Sequence, residues 1–171
     1  VTIDSFRKSL EKRGINDIEF QNKILCLILQ NRAGIQYSLG AVINNLFLKN
    51  DFMLAMDPEY KISMEVNRNN NVTLVFKGTW DDVNKEPREP AISASVSINI
   101  TPNTVAITDF DITKIQDSEV ANSAYKYLED NQKNILEKLL SWIQRFFGFN
   151  SELRLEERKK DDMEWGITPN N

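Results

Sequence analysis

The stretch AISASVSINI, residues 91–100, alternates between apolar and small polar side chains with a period of two. Successive side chains of a β-strand point to opposite faces, so this period predicts a strand with one apolar and one polar face. The apolar positions are Ile92, Ala94, Val96, Ile98 and Ile100, and the polar ones are Ser93, Ser95, Ser97 and Asn99. A sheet that contains this strand therefore has one face to bury and one that water can reach.

Three further segments alternate in the same way. They are YKISMEV (residues 60–66), VTLVFKGTW (72–80) and VAITDFDI (105–112). The turn-forming residues RNNN separate the first two segments, and TPNT separates the stretch at 91–100 from the last. Two hairpins in succession predict a four-stranded antiparallel meander.

Residues 1–50 are typical of three helices. Asp4 or Ser5 can cap the first, and Asn16 with Glu19 forms a capping box for the second. In the third, one helical stripe collects the apolar residues Ile35, Leu39, Val42, Ile43, Leu46 and Phe47. The run ILCLIL, residues 24–29, favours a buried helix, with a buried strand as the alternative.

Residues 118–147 keep their apolar side chains within one arc, which predicts a single long amphipathic helix of about 45 Å. Such a helix suits the apolar face of the sheet, because bare alternating strands would leave a large exposed patch. The fold class expected is therefore α+β, with N-terminal helices and a meander covered on one face by this helix. We assign residues 1–150 to one domain and 151–171 to a charged tail or a helix extension.

The end of that helix, LLSWIQRFFGFN (residues 139–150), is rich in aromatic side chains. Strands of eight or nine residues span only about 30 Å, so the last turns are expected to overhang the sheet. The residues that would then meet a partner or ligand are Trp142, Phe146, Phe147 and Phe149.

Composition limits the classes of function. The net charge of −4 and the pI near 5.0 argue against a broad basic surface for nucleic acid. The single cysteine, Cys26, lies between leucines, which indicates a buried thiol and a reducing compartment. We therefore expect the cytoplasm or, for a secreted protein, a reducing host cytosol. The longest apolar run is far shorter than the roughly 20 residues of a membrane span. The first residue is Val1, so the sequence does not decide whether a signal peptide or an anchor lies upstream.

Catalytic patterns are scarce. The chain has no histidine, which removes the commonest general base and metal ligand together. Asp109 and Asp111 are weak candidates for a divalent-metal site, because alternate residues of a strand share a face about 7 Å apart. Asp81 and Asp82 would join them if the strands paired suitably. The simpler interpretation is that these acids are solvated or paired with lysines, and no cofactor is expected.

The polar row of residues 93–99 also has two interpretations. At the edge of a sheet it would offer backbone for a peptide strand to pair with, whereas inside a meander it is only a solvated face.

The leading functional hypothesis is a non-catalytic protein–protein interaction domain that binds a protein partner or a second copy through the aromatic helix end. An alternative from another class is a carrier of a hydrophobic ligand or lipid chain held between sheet and helix, lined by Met53, Met56, Met64 and the phenylalanines. A second alternative is a carboxylate- and metal-dependent enzyme. The asparagine-rich bias and the motif-free α+β sequence also fit a fragment of a secreted bacterial effector.

Overall fold

The computed structural model describes residues 2–31, 38–147 and 150–155, without the side chains of residues 146, 147 and 150. The helices are α1 (Ile3–Lys12), α2 (Ile18–Gln30), α3 (Leu39–Lys49), α4 (Glu119–Asp130) and α5 (Gln132–Phe147). The strands are β1 (Leu54–Met56), β2 (Lys61–Asn67), β3 (Asn71–Asp82), β4 (Glu89–Ile100), β5 (Thr104–Lys114) and β6 (Asn150–Leu153). The α+β class predicted from the sequence is confirmed.

The strands form one mixed sheet of six in the order β1-β3-β4-β5-β6, and β2 pairs with β3 on the same side as β1. Both predicted hairpins are present, since β2–β3 and β4–β5 are antiparallel and β3 pairs with β4. The prediction of a four-stranded meander is wrong, because two short strands were not recognised. One of them, β6, follows two helices and returns parallel to β5, which no meander allows.

Local sequence sets the starts of the N-terminal helices. The Thr2 side chain accepts from the Ser5 backbone N–H and completes a capping box, so α1 begins earlier than a cap at Asp4 or Ser5 predicts. Asp17 caps α2 by accepting from the Glu19 backbone N–H at 3.1 Å. Ser38 caps α3 in the same way. The predicted third helix included Ile35, which lies outside the described residues.

The helix prediction for residues 24–29 is confirmed, but the predicted burial of the whole run is wrong. Ile24 and Leu27 are fully buried on one side of α2. Cys26 is exposed and Leu29 is 38% exposed, because a helix in contact with a core on one side turns its other side to water.

The hydrophobic core lies between the helices and one face of the sheet, which we call the covered face. Trp80 of β3 is fully buried and packs edge-to-face on Phe47 of α3, with ring centroids 5.6 Å apart. The Trp80 indole N–H donates to Asn44 at 3.4 Å. Other buried covered-face residues are Val72, Leu74, Phe76, Ile92, Ala94, Val96, Ile98, Ile100, Val105, Ile107 and Phe110.

Two glycines let aromatic rings lie close to the backbone. A Cβ on Gly40 of α3 would lie 3.0 Å from Tyr60 Cε1, and one on Gly78 of β3 would lie 2.9 Å from Trp80 Cη2. Both distances are shorter than ordinary van der Waals contact. The Tyr60 ring therefore packs between the start of α3 and the sheet, and burial raises the pKa of its phenol well above the usual value.

The predicted single helix over residues 118–147 is wrong, since Asn131 separates α4 from α5. The Asn131 side-chain amide donates to the Tyr127 carbonyl at 2.8 Å, where it competes with the backbone of the helix. Helix α4 contacts β4 and β5, whereas α5 contacts β5, β6 and α3, so the predicted covering role is divided between two helices.

Residues 150–153 form β6, where we predicted the start of a tail or a helix extension. The Arg154 backbone N–H extends the parallel pairing by donating to the Ile107 carbonyl at 2.8 Å. The remainder of the predicted tail, from residue 156 onward, lies outside the described residues.

Candidate functional site

The second face of the sheet, which we call the open face, carries the polar half of each alternating strand. Its residues are Thr73, Val75, Lys77 and Thr79 on β3, Ser93, Ser95, Ser97 and Asn99 on β4, and Ala106, Asp109, Asp111 and Thr113 on β5. Ser93 and Ala106 are buried, and the other side chains are half-buried or exposed. The face is built from small uncharged groups with few charges, so it offers both hydrogen-bond donors and acceptors.

A bulge in β5 turns its acidic residues to the open face. The register shifts so that Ile107 faces Ile98 and Asp109 faces Ser97, which leaves Thr108 as the extra residue. The Thr108 hydroxyl donates to the Ser97 carbonyl at 3.3 Å. If Thr108 paired regularly and no bulge were present, Asp109 would share the covered face with Ile107, and its charge would be buried against the helices.

A shallow concavity of about 550 Å³ lies on this face where β3, β4 and β5 meet the end of β6. It is lined by Asn71, Thr73, Ser97, Asn99, Thr108, Asp109, Arg154 and Leu155. We call these eight residues the concavity. Its floor contains hydroxyl and amide groups from three neighbouring strands, and its two charged residues have opposite signs.

Cross-strand hydrogen bonds order the amides of the concavity. The Asn99 amide donates to the Asn71 side-chain carbonyl, and its nitrogen also lies 3.4 Å from the Thr73 hydroxyl. Asn67 donates to the same Asn71 oxygen at 3.3 Å. Because each amide is held by a neighbour, these side chains lose little conformational freedom when a ligand binds.

Arg154 adds a cation to the edge of the concavity. Its guanidinium donates to the Asn99 side-chain carbonyl at 3.3 Å and lies 3.6 Å from the Glu152 carboxylate. The pairing of β6 with β5 places it there, and the side chain stays 57% exposed. Sequence reasoning missed this residue because β6 was interpreted as tail. The alternation of Leu153 and Leu155 around Arg154 was the signal that could have indicated a strand.

The weak metal candidates lie on the open face, where they do not form a cluster. Asp109 is half-buried opposite Ser97, whereas Asp111 is exposed opposite Ser95. Asp81 pairs in register with Pro90, toward the opposite end of β4 from the concavity. Within residues 2–31, 38–147 and 150–155, no group of three or more His, Cys, Asp or Glu residues could hold a metal ion.

Asp81 has a perturbed environment of its own. Burial raises the pKa of its carboxyl, the nearby Asp57 carboxylate raises it further, and the Arg88 guanidinium opposes both effects. Asp81 and Asp82 would join Asp109 and Asp111 only under a suitable strand pairing, and the observed register puts the two pairs toward different ends of β4.

Of the predicted aromatic site, the structure describes only the side chain of Trp142. Trp142 is 3% exposed and belongs to the core, so it does not overhang the sheet. The side chains of Phe146 and Phe147 and the whole of Phe149 lie outside the described residues, and their binding role stays a prediction.

The structure also places the polar row of β4 and the methionines of the predicted carrier cavity. Strand β4 pairs on both sides, so the polar row of residues 93–99 is a sheet face and not an edge. The methionines of the predicted carrier cavity do not meet. Met53 is 52% exposed, Met56 packs near Gly40, and Met64 lines a surface groove beside β2.

Within the described residues, no helix has the length and apolar character needed to cross a membrane. No protein-family model matches the sequence, and a comparison with curated proteins gives no match.

Proposed function

We propose that the chain is a non-catalytic binding domain that recognises a protein partner through the concavity on the open face. The observation that supports this most is the cross-strand amide network, in which Asn71, Asn99 and Arg154 are oriented by one another and still reach solvent. Ordered polar groups beside solvent gain more on binding than mobile ones, because less side-chain entropy is lost.

The chemistry of the concavity favours a polypeptide over a polyanion. A peptide backbone presents alternating N–H and C=O groups, and amides and hydroxyls can satisfy both kinds. The two charged residues, Asp109 and Arg154, balance each other, so the site has no net attraction for nucleic acid or a phosphate-rich surface. We expect a neutral, polar partner segment that lies across β3, β4 and β5.

The proposal shifts the expected binding surface away from the aromatic helix end. Trp142 contributes to the core instead, while Phe146, Phe147 and Phe149 stay a secondary hypothesis for the same function. The carrier and the metal-dependent enzyme remain alternatives, and so does the assignment to a secreted effector fragment in a reducing cytosol. Native mass spectrometry of the purified chain tests the carrier, since a co-purifying hydrophobic ligand would favour it over a binding domain.

The test uses a variant that fills the concavity without touching the core. Ser97→Arg places a long side chain on the open face of β4, and Lys126→Ala on the exposed side of α4 is the control. Proteins captured by the wild type and by the control, but lost with Ser97→Arg, are the expected partners. For each, the dissociation constant should rise at least about tenfold, measured by calorimetry.

Asn99→Ala provides a second, less intrusive variant, because it removes the centre of the amide network and leaves the space open. Asn99→Ala should weaken the binding of the same partners by a smaller factor. If Ser97→Arg and Asn99→Ala capture the same proteins as the wild type with unchanged affinity, the concavity is not the binding site and the proposal fails.

A further inference from the structure

Strand β2 has one side that no described strand occupies. It pairs with β3 along all seven of its residues, and β3 pairs with β4 on its far side. Exposure alternates along β2, with Lys61, Ser63 and Glu65 exposed and Ile62 and Met64 half-buried. An edge of this length presents backbone N–H and C=O groups to which another strand can pair.

A groove of about 770 Å³ runs beside the second half of this edge. It is lined by Arg13, Met64, Glu65, Val66, Asn67 and Arg68. Arg13, at the end of α1, forms one wall, and its guanidinium donates to the Ser9 hydroxyl at 3.2 Å. The groove therefore gives an added strand a place to lie, with two arginines at one end.

Charges at similar distances before and after Ser63 have opposite signs. Lys61 lies two residues before Ser63, and Glu65 lies two residues after it. Farther out, Glu59 lies four residues before Ser63, and Arg68 lies five residues after it. An antiparallel copy paired about Ser63 would set Lys61 opposite Glu65 twice. It would also bring the acidic Glu59 of one copy to the basic end of the other, at Arg13 and Arg68.

Other registers are less favourable. Pairing about Lys61 or about Glu65 would set a charge opposite its own copy, and directly opposed like charges destabilise a sheet. Pairing about Met64 sets Lys61 opposite Asn67 and Glu65 opposite Ser63, with no charge pair. Pairing about Ser63 also sets Ile62 opposite Met64, so the covered faces of both copies join.

From this pattern we infer that a second copy of this chain docks on β2, by antiparallel pairing of the two edges about a twofold axis at Ser63. The interface is distinct from the concavity and does not depend on the proposed function. The paired edges are short, so the dimer is expected to be weak and to form at micromolar or higher concentrations.

Charge exchange across the twofold axis tests the inference. Lys61→Glu and Glu65→Lys each set like charges opposite one another twice, so each should raise the dimer dissociation constant about tenfold or more in sedimentation experiments. An equimolar mixture of the two variants should recover association, since every opposed pair is then of opposite sign. Lys126→Glu and Glu137→Lys are matched controls on exposed helix positions and should dimerise like the wild type.

Disulfide cross-linking tests the register. In a Cys26→Ser background, Ser63→Cys places two thiols on the twofold axis, where Cα atoms of opposed residues lie about 5 Å apart. Glu65→Cys places their Cα atoms about 14 Å apart in the same register. The first variant should therefore form a covalent dimer under mild oxidation much faster than the second.

A chain that stays monomeric at high concentration overturns the inference. So do charge variants that behave like their controls, and so does a Ser63→Cys variant that cross-links no faster than Glu65→Cys. Far-ultraviolet circular dichroism of each variant confirms that the fold is retained, which is expected because all the substituted side chains are exposed.

Discussion

The covered and open faces of the sheet are made by the same strands, yet they contribute differently to the molecule. On β3, Phe76 is fully buried against the helices, while its neighbour Val75 is half-buried on the open face. The covered face gains the free energy of removing apolar surface from water. The open face contributes less to stability, and its polar groups remain accessible to a partner. Adjacent residues of one strand therefore differ in their roles, since those on the covered face stabilise the fold and those on the open face are available for the proposed binding.

The two faces should differ most in how much stability is lost when the side chain of one of two adjacent residues is truncated to alanine. Phe76→Ala should lower the free energy of unfolding by about 3–5 kcal/mol, because it leaves a cavity in the core. Val75→Ala, one residue away, should cost roughly 1 kcal/mol or less, because water already reaches that side chain. Chemical denaturation monitored by tryptophan fluorescence measures both. Equal losses for the two variants would contradict the assignment of faces.

An intermediate loss of stability is expected where a glycine leaves room for a buried aromatic ring. Gly78→Ala adds a methyl group 2.9 Å from the buried Trp80 ring, which cannot move without disturbing Phe47. The free energy of unfolding should fall by about 1–3 kcal/mol. Thr79→Ala, on the open face next to it, is the matched control and should change stability little. A neutral Gly78→Ala variant would mean that the Trp80 ring is less constrained than described.

The smallest effect is expected from pH. Because burial raises the pKa of Tyr60 above its usual 10.0, the folded state favours the neutral phenol. This contribution to stability is complete below pH 10 and is lost as pH rises above it, since the unfolded chain ionises first. Tyr60→Phe should therefore be less sensitive to alkaline denaturation than the wild type. Unchanged pH dependence, measured by thermal unfolding between pH 8 and about pH 11, would argue against burial of the phenol oxygen.

Much of the fold could be predicted because the long strands alternate strictly. The alternation from Ile92 to Ile100 on β4 indicates both a strand and its buried face, even when the neighbouring strands are unknown. The strands that were missed are short. Only three residues of β1 pair with β3, and four of β6 pair with β5. The sequence of β1 has too little periodicity to be distinguished from a loop, and that of β6 offers only the alternation of Leu153 and Leu155. Tertiary pairing decides the structure of both segments.

The helix break had a local cause that composition alone did not indicate. Asn131 lies within a continuous amphipathic pattern, so the pattern predicted one helix. Its side chain hydrogen-bonds the Tyr127 carbonyl, which competes with the backbone of the helix. The predicted overhang of Trp142 was wrong, since this side chain is buried in the core.

The concavity could be predicted only in part. The small polar residues of β4 were recognised from their alternation, as were Asp109 and Asp111 on β5. Their assembly with Arg154 depends on the bulge at Thr108 and on the parallel pairing of β6. Neither feature follows from hydrophobic periodicity, because both are set by contacts between residues distant in the chain.

The most direct test of the two-faced sheet substitutes arginine at adjacent residues of β4 and measures thermal unfolding. Val96→Arg buries a charge in the core and should abolish cooperative folding, whereas Ser97→Arg should unfold within a few degrees of the wild type. A stable Val96→Arg protein, or a Ser97→Arg protein that fails to fold, would contradict the assignment of one face to the core and of the other to the surface.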